Sequence, residues 1–308
     1  MRAVVLHEYG GPEKLKFEDN VPDPQINGDT VLIAAAAASV NPIDWKLRSG
    51  TRQKDFPLSF PAILGRDVSG VVRAVGANVK HFKPGDRVLA LSWATYAELV
   101  AVDDEDVTHL PDGVDLADAA AIPLISLTGD QLVRLATNVK QGQVVLITGA
   151  LGSVGRAAVH TAKKIGAQVI AGVRSKELKD ARSLGVSDVL AIDDDKAIEK
   201  FRLVDAIADT VGGEVAAKLI AKAKQNGSFG YTAVLPENAA QNLAVKITRV
   251  FTKPDPSKVR EFADAVRDGK FVLPIGRRMP LCDAAEAHVL GEKGGIGKIL
   301  LLAPDSQG

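Results

Sequence analysis

Along the first hundred or so residues, short runs of β-branched and apolar positions alternate with turn residues. The runs are "AVVLHEYGGPEKLKFED" (3–19), "DTVLIAAAAASVNP" (29–42), "VSGVVRAVGANV" (68–79), "PGDRVLAL" (84–91) and "YAELVAV" (96–102). Short strands at this spacing predict an antiparallel, barrel-like β unit. From about residue 115 the pattern changes. Apolar strands now alternate with segments of helical period: "QVVLITGA" (143–150) then "SVGRAAVHTAKKIGA" (153–167), "QVIAGV" (168–173) then "SKELKDARSLGV" (175–186), and "VDAIADTV" (204–211) then "GEVAAKLIAKAKQNG" (213–227), closing on "SFGYTAV" (228–234). Such alternation builds a parallel sheet with helices on both faces. Gly166, Gly185 and Gly227 are expected to end the three helices. After the break "TKPDPSKV" (252–259), two helical segments and a strand, "GKILLLAP" (297–304), are too little to stand alone and are expected to complete the β-rich unit.

At 308 residues the chain has room for two domains. Its 38 basic and 38 acidic residues leave no overall field to attract nucleic acid or an anionic membrane, so a small diffusing partner is expected. The longest apolar run, residues 31–38, is too short to span a bilayer, and the first residues lack the apolar core of a signal peptide. The single cysteine, Cys282, rules out an internal disulfide framework and is read as either a cap-region or a packed thiol. Together these features predict a cytoplasmic protein.

Directly after the strand "VVLIT" come Gly149, Ala150, Leu151, Gly152, Ser153, Val154 and Gly155, opening a helix. A turn almost free of side chains lets the backbone approach a pyrophosphate, and the helix start points N–H groups at it. Ala150 stands where the G-x-G-x-x-G frame has its first glycine, but the strand before and the helix after the turn favour dinucleotide binding. Nineteen residues beyond Gly155 lies Arg174, at the tip of the second strand. An NAD-binding fold places there the carboxylate that holds the ribose 2′-hydroxyl. An arginine pairs instead with a 2′-phosphate, helped by Ser175 and Lys176, and predicts NADPH. Asp193, Asp194 and Asp195 lack the spacing of a calcium loop and are read as a solvated turn.

Read with "SVNPIDWKLRSG" (39–50), "PAILGRDVSGVVRAVGANVKHFKPGDRV" (61–88), "AAIPLISLTG" (120–129), "TGALGSVG" (148–155), "DTVGG" (209–213) and the terminal "GKILL", the chain resembles the medium-chain dehydrogenase/reductase superfamily. Within it, the resemblance is to the zinc-independent quinone oxidoreductase-like branch. It implies an α/β fold with a GroES-like β-barrel domain (1–115 and 250–308), a Rossmann doubly wound parallel-sheet domain (116–249), an active site in the cleft between them, and a homodimer. Where the zinc-dependent branch binds metal through a cysteine and a His-Glu pair, this chain reads "SVNPID" and "ILGRDVSG". Its five histidines show no ligand spacing, so no metal is expected.

By the same resemblance Asn41 and Asp44 line the nicotinamide end of the site and Thr128 touches the nicotinamide, while Ala233 and Lys298 join the cofactor-binding set. Asn41 is either an N–H donor to a substrate or carboxamide oxygen or a turn residue before Pro42, and Asp44 either lines the site or caps the following helix. Lys46 replaces a tyrosine of close relatives; it is a solvated helix residue or a cation that orients an enolate. Ile192 stands near a position where some relatives place a tyrosine beside the adenosine phosphate. A metal-free cleft suits acceptors that spread the arriving charge over their own conjugation. The expected activity is hydride transfer from NADPH to a quinone or an α,β-unsaturated carbonyl. The alternative is an NADPH-binding regulatory protein with little turnover.

Overall fold

A computed structural model describes residues 1–237, 239 and 244–304. The chain forms two units, Ile125–Lys253 and, on either side of it in sequence, Met1–Leu124 with the stretch from Pro254 onward. The first unit begins with β1 (Ala3–Leu6), β2 (Leu15–Glu18), β3 (Thr30–Val40), helix α1 (Pro42–Arg48), β4 (Ala62–Ile63), β5 (Asp67–Val75), β6 (Arg87–Leu91), β7 (Leu99–Asp103) and β8 (Val107–His109). Both boundaries fall later than the sequence pattern suggests. The Leu124 N–H donates to Asp67 Oδ1 at 2.6 Å, which fastens the segment after residue 115 to the first unit. At the other end Thr252 and Lys253 bond to Thr128 and Gln131, which keeps them in the second.

Helix α2 (Pro123–Gln131) runs into a π-helical turn, Leu132–Thr137, that stops at Asn138 in the left-handed conformation (φ 52). Then come β9 (Val144–Thr148), α3 (Ser153–Ile165), β10 (Gln168–Val173), α4 (Leu178–Arg182), β11 (Asp188–Ala191), α5 (Asp195–Lys200), β12 (Val204–Asp209), α6 (Gly213–Ile220), β13 (Ala223–Tyr231) and β14 (Lys246–Arg249). The six strands are all parallel, in the order β11-β10-β9-β12-β13-β14. This is the doubly wound order, with its switch point between β9 and β12. Val145 and Ile147 of β9 enter one core layer with Ala158 and Ala162 of α3. Leu146 enters the opposite layer with Ile207, Leu219 and Phe229. Period-two alternation thus feeds two cores because both sheet faces are covered.

One expected helix is too long. The apolar positions 216, 219, 220 and 223 fit a helical stripe, yet α6 ends at Ile220 and Ala223 opens β13. Gly227 lies inside that strand and ends no helix; beside it Asn226 takes a left-handed φ of 61.

Returning to the first unit, the chain adds α7 (Pro256–Arg267), β15 (Ile275–Pro280), α8 (Ala284–Lys293) and β16 (Lys298–Leu302). The larger sheet runs β15-β16-β3-β5-β6-β8, with β7 also on β3, and β2-β1-β4 form a second. Pairing is antiparallel as expected except for β15 and β16, which are parallel. Register matters most at one place: Ile299 opposes Val40 and Ser39 opposes Asp67. Residues near 40, 67 and 298 are therefore neighbours across three strands. Cys282 lies in the 3-10 turn Leu281–Asp283 that leads into α8, the cap-region alternative of the two expected; it is exposed rather than packed, its Sγ 3.7 Å from Asp283 Oδ1.

Candidate active site

The turn 149–155 has the geometry of an anion cradle. Gly149 sits at φ +60, a left-handed value that suits glycine, and a Cβ at Gly155 would lie 2.0 Å from the Gly149 carbonyl oxygen. Gly152 is the N-cap of α3 and supplies no capping side chain, so the first N–H groups of that helix are left for an outside acceptor. Ala150 is fully buried in the core, which explains why alanine is tolerated in that place. On the other side of the switch point, Asp209 accepts from Thr148 Oγ1 (2.6 Å) and the Gly212 N–H (2.8 Å), pinning the ends of β9 and β12 together. The residues present fit a dinucleotide pyrophosphate.

At the tip of β10, Arg174 is exposed and its guanidinium pairs with Glu177. The Ser175 N–H and hydroxyl both donate to Asp193 Oδ1 at 2.7 Å. Asp194 caps α5 by accepting from the N–H groups of Lys196 and Ala197, and Asp195 pairs with Lys218 at 2.6 Å. The three acids therefore have separate jobs. Ile192 is buried in the core and points no polar atom at this end. Thr128 is 9% exposed and shares a hydrogen bond with Thr252 Oγ1 (2.7 Å), while Ala233 follows β13 beside Gly212.

In the first unit, structure reassigns two residues. Asn41 is 2% exposed and its amide is fully occupied: Nδ2 donates to Asp67 Oδ2 (2.8 Å) and Ser39 O (3.1 Å), and Oδ1 accepts from Lys298 Nζ. It is an N-cap and an organiser of buried charge, not a free donor. Lys298, grouped by sequence with the cofactor residues, lies 4% exposed in this cluster, 3.8 Å from Asp67 Oδ2. Burial pushes its ammonium pKa down, and Asp67 and Asp44 pull it back up. Asp44 does cap α1, in a capping box in which its Oδ2 accepts from the Asn41 N–H at 2.8 Å.

Behind Asp44 stands a chain that the sequence did not reveal. Arg48 can only donate, so its bond to His288 Nδ1 (3.1 Å) puts the ring proton on Nε2. That N–H donates to Tyr96 Oη (3.2 Å), and the Tyr96 hydroxyl donates to Asp44 Oδ2 (2.9 Å). Asp44 Oδ1 is buried with no hydrogen-bond partner. Desolvation accordingly raises the Asp44 carboxyl to about 7, against the bonds from Asn41 and Tyr96 that favour its ionised form. Burial, with Arg48 alongside, lowers His288 to about 3.

These shifts oppose each other in stability. A carboxyl raised from 3.8 to about 7 favours the folded state at acid pH and loses that contribution as pH rises through the window. An imidazole lowered from 6.5 to about 3 favours folding above its unfolded value and loses that as pH falls. Between about pH 4 and 6.5 the two slopes cancel. In His288→Gln only the Asp44 slope remains, so its thermal midpoint is expected to rise from pH 7 to pH 4 relative to wild type. A parallel pair of melting-temperature profiles would refute the coupling.

Lys46, on α1, is half-buried; burial and then the charge of Arg52 lower its pKa. Among the described residues its ammonium has no ion-pair partner, and it takes no part in the Asn41–Asp44 cluster. No group of three or more His, Cys, Asp or Glu is placed to hold a metal among the described residues. Nor is any described helix long and apolar enough to cross a membrane.

A doubly wound sheet with an open phosphate turn, joined in one chain to a β unit with a buried charge cluster, defines a dinucleotide-type oxidoreductase of the medium-chain class. Comparison with known proteins agrees. Residues 27–112 match the alcohol dehydrogenase GroES-like domain, and residues 184–301 match the zinc-binding dehydrogenase family. A quinone oxidoreductase of Pongo abelii is 31% identical over 98% of both chains. An Arabidopsis thaliana NADPH-dependent alkenal/one oxidoreductase is 39% identical over 63% of this chain and 52% of its own. The structure of Escherichia coli quinone oxidoreductase complexed with NADPH superposes with a TM-score of 0.85 at 25% identity, covering 98% of this chain and all of that one. The chain belongs to the quinone oxidoreductase family of the medium-chain dehydrogenase/reductase superfamily.

Proposed function

We propose that this oxidoreductase is a zinc-independent, NADPH-dependent reductase of quinones or α,β-unsaturated carbonyls. The observation that carries the reading is Arg174, an exposed cation at the tip of the second strand beside a phosphate turn without a capping side chain. Relatives named for quinones and for alkenals or enones, and a similar structure bound to NADPH, support it.

The turn 149–155 and the first N–H groups of α3 would hold the pyrophosphate, and Arg174 and Lys176, with Ser175 if it exchanges its bonds to Asp193, would hold the 2′-phosphate. Thr128 and Ala233 would serve the nicotinamide end. When bound, the cofactor supplies the hydride. Asn41 and Asp44 act by position: their capping box fixes the start of α1, and α1 carries Lys46. Burial lowers the pKa of Lys46, which makes its ammonium a readier proton donor as well as a charge that can orient an enolate. At the positions where zinc-dependent relatives place ligands, this chain offers the buried amide of Asn41, Arg66 and Asp67, a donor set poorly suited to zinc.

The expected result is oxidation of NADPH, faster than of NADH, in the presence of quinones or conjugated enones, unaffected by a chelator. Tight NADPH binding with no turnover across a broad panel of such acceptors would instead make the chain a cofactor-binding regulator.

A further inference from the structure

Arg66 lies directly before β5, in the segment "GRDVSG", and is 8% exposed. Nε donates to the Ser92 carbonyl at 2.7 Å. The guanidinium carbon lies over the ring of Trp93, 3.5 Å from its centroid. The two Nη groups donate to no protein acceptor among the described residues, and neither is among the buried atoms left unpaired, so both reach solvent. Trp93 itself is 47% exposed, a large area for an indole, and Phe56 lies tilted beside it with ring centroids 6.0 Å apart. The charges of Asp44 and Asp67 offset part of the desolvation that Arg66 suffers.

A guanidinium cannot shed its proton to escape burial. Its desolvation is only partly offset by Asp44 and Asp67, and its two Nη groups, at the open edge of a mostly buried side chain, have no protein acceptor among the described residues. The natural acceptor is a ligand oxygen carrying negative charge, and the exposed indole beside it is a platform for a flat apolar body.

Resting on the reductase reading above, we infer that Arg66, Trp93 and Phe56 form the acceptor site of the first unit: the rings hold the planar conjugated body, and the Arg66 Nη–H groups hold its oxygen. On an enone, hydride adds to the β-carbon, the carbon–carbon π pair moves toward the carbonyl, and the carbonyl pair settles on oxygen as an enolate. The α-carbon then takes a proton from Lys46 or water. On a quinone, the same two electrons and hydrogen give the hydroquinone monoanion, which one proton completes. In both cases the reduced nicotinamide is the species oxidised. Arg66 stabilises the charge while it sits on oxygen, the role a metal ion serves in other enzymes of the superfamily.

The test needs no cofactor. 4-Nitrophenolate, a planar aromatic oxyanion, and neutral 4-nitroanisole are titrated into the full-length, cofactor-free chain by calorimetry, with the phenolate absorbance followed against pH. Wild type is expected to prefer the phenolate and to lower the bound phenol's pKa by about 1 unit. Arg66→Gln should weaken phenolate about 10-fold or more, abolish the pKa shift and leave nitroanisole unchanged. Arg66→Lys should recover part of the anion preference, and Trp93→Leu should weaken both ligands alike. Circular dichroism melting checks that each variant folds, and should Arg66→Gln not fold, the lysine and Trp93 variants carry the comparison. Phenolate binding unchanged in Arg66→Gln, or a wild type that does not prefer the anion, overturns the inference. NADPH-linked reduction of quinones without Arg66-dependent binding leaves the reductase reading standing and removes this site; Arg66-dependent binding without any such reduction does the reverse.

Discussion

Arg174→Asp is expected to weaken NADPH binding by on the order of 100-fold while changing NADH binding only a few-fold. In the structure Arg174 is paired with Glu177, but that pair is exposed at the start of a short helical turn and competes weakly with a dianionic phosphate. The substitution removes a forked donor and puts a carboxylate where the 2′-phosphate would sit, with Ser175 and Lys176 left in place. NADH presents only a ribose hydroxyl there, which an aspartate accepts. Dissociation constants from nicotinamide fluorescence decide the matter. Equal losses for both cofactors would mean that the adenosine end binds elsewhere. Asp193, which accepts two bonds from Ser175, is expected to oppose a phosphate at this corner and so to limit the effect of Arg174.

The other large effect is expected on stability. Asp67→Leu strands the Lys298 ammonium, 4% exposed, and removes the acceptor of Ser39 Oγ, Asn41 Nδ2 and the Leu124 N–H. Removing one partner of a buried pair costs about 3–5 kcal/mol. Replacing both is far milder, so Asp67→Leu combined with Lys298→Met should recover much of the loss. With two units, unfolding is not one transition, but both tryptophans, Trp45 and Trp93, belong to the first unit and report on it alone. Urea unfolding followed by their fluorescence should show the single substitution as a lowered midpoint and the double as a partial return. A single substitution with an unchanged midpoint would show that Asp67 and Lys298 are not coupled.

The two halves of the chain were unequally legible. Strand, glycine turn and helix follow one another within 143–167, so local pattern alone places the phosphate cradle, and Arg174 follows by counting. The β unit's cluster draws on residues 39, 41, 44, 48, 67, 96, 288 and 298, which only strand register and helix packing bring together. His288 illustrates the difficulty. Judged by metal-ligand spacing it carries nothing, whereas its value lies in a tautomer fixed by an arginine 240 positions away in sequence. Lys298 could have been assigned from the pairing of its strand beside Val40, had that pairing been readable. The stretch 221–227 failed for another reason: the apolar spacing of a helix and the opening of a buried strand coincide at Ala223.

The interruption of the first unit by the second has a consequence for biosynthesis. A ribosome releases the whole parallel-sheet unit, through Lys253, before it makes β15 or β16. The nascent first unit meanwhile carries β3 without its β16 partner and Asp67 without Lys298. Domains fold as units during synthesis. The cofactor cradle can therefore assemble while the charge cluster is still incomplete, and that cluster closes only once Lys298 on β16 has been made.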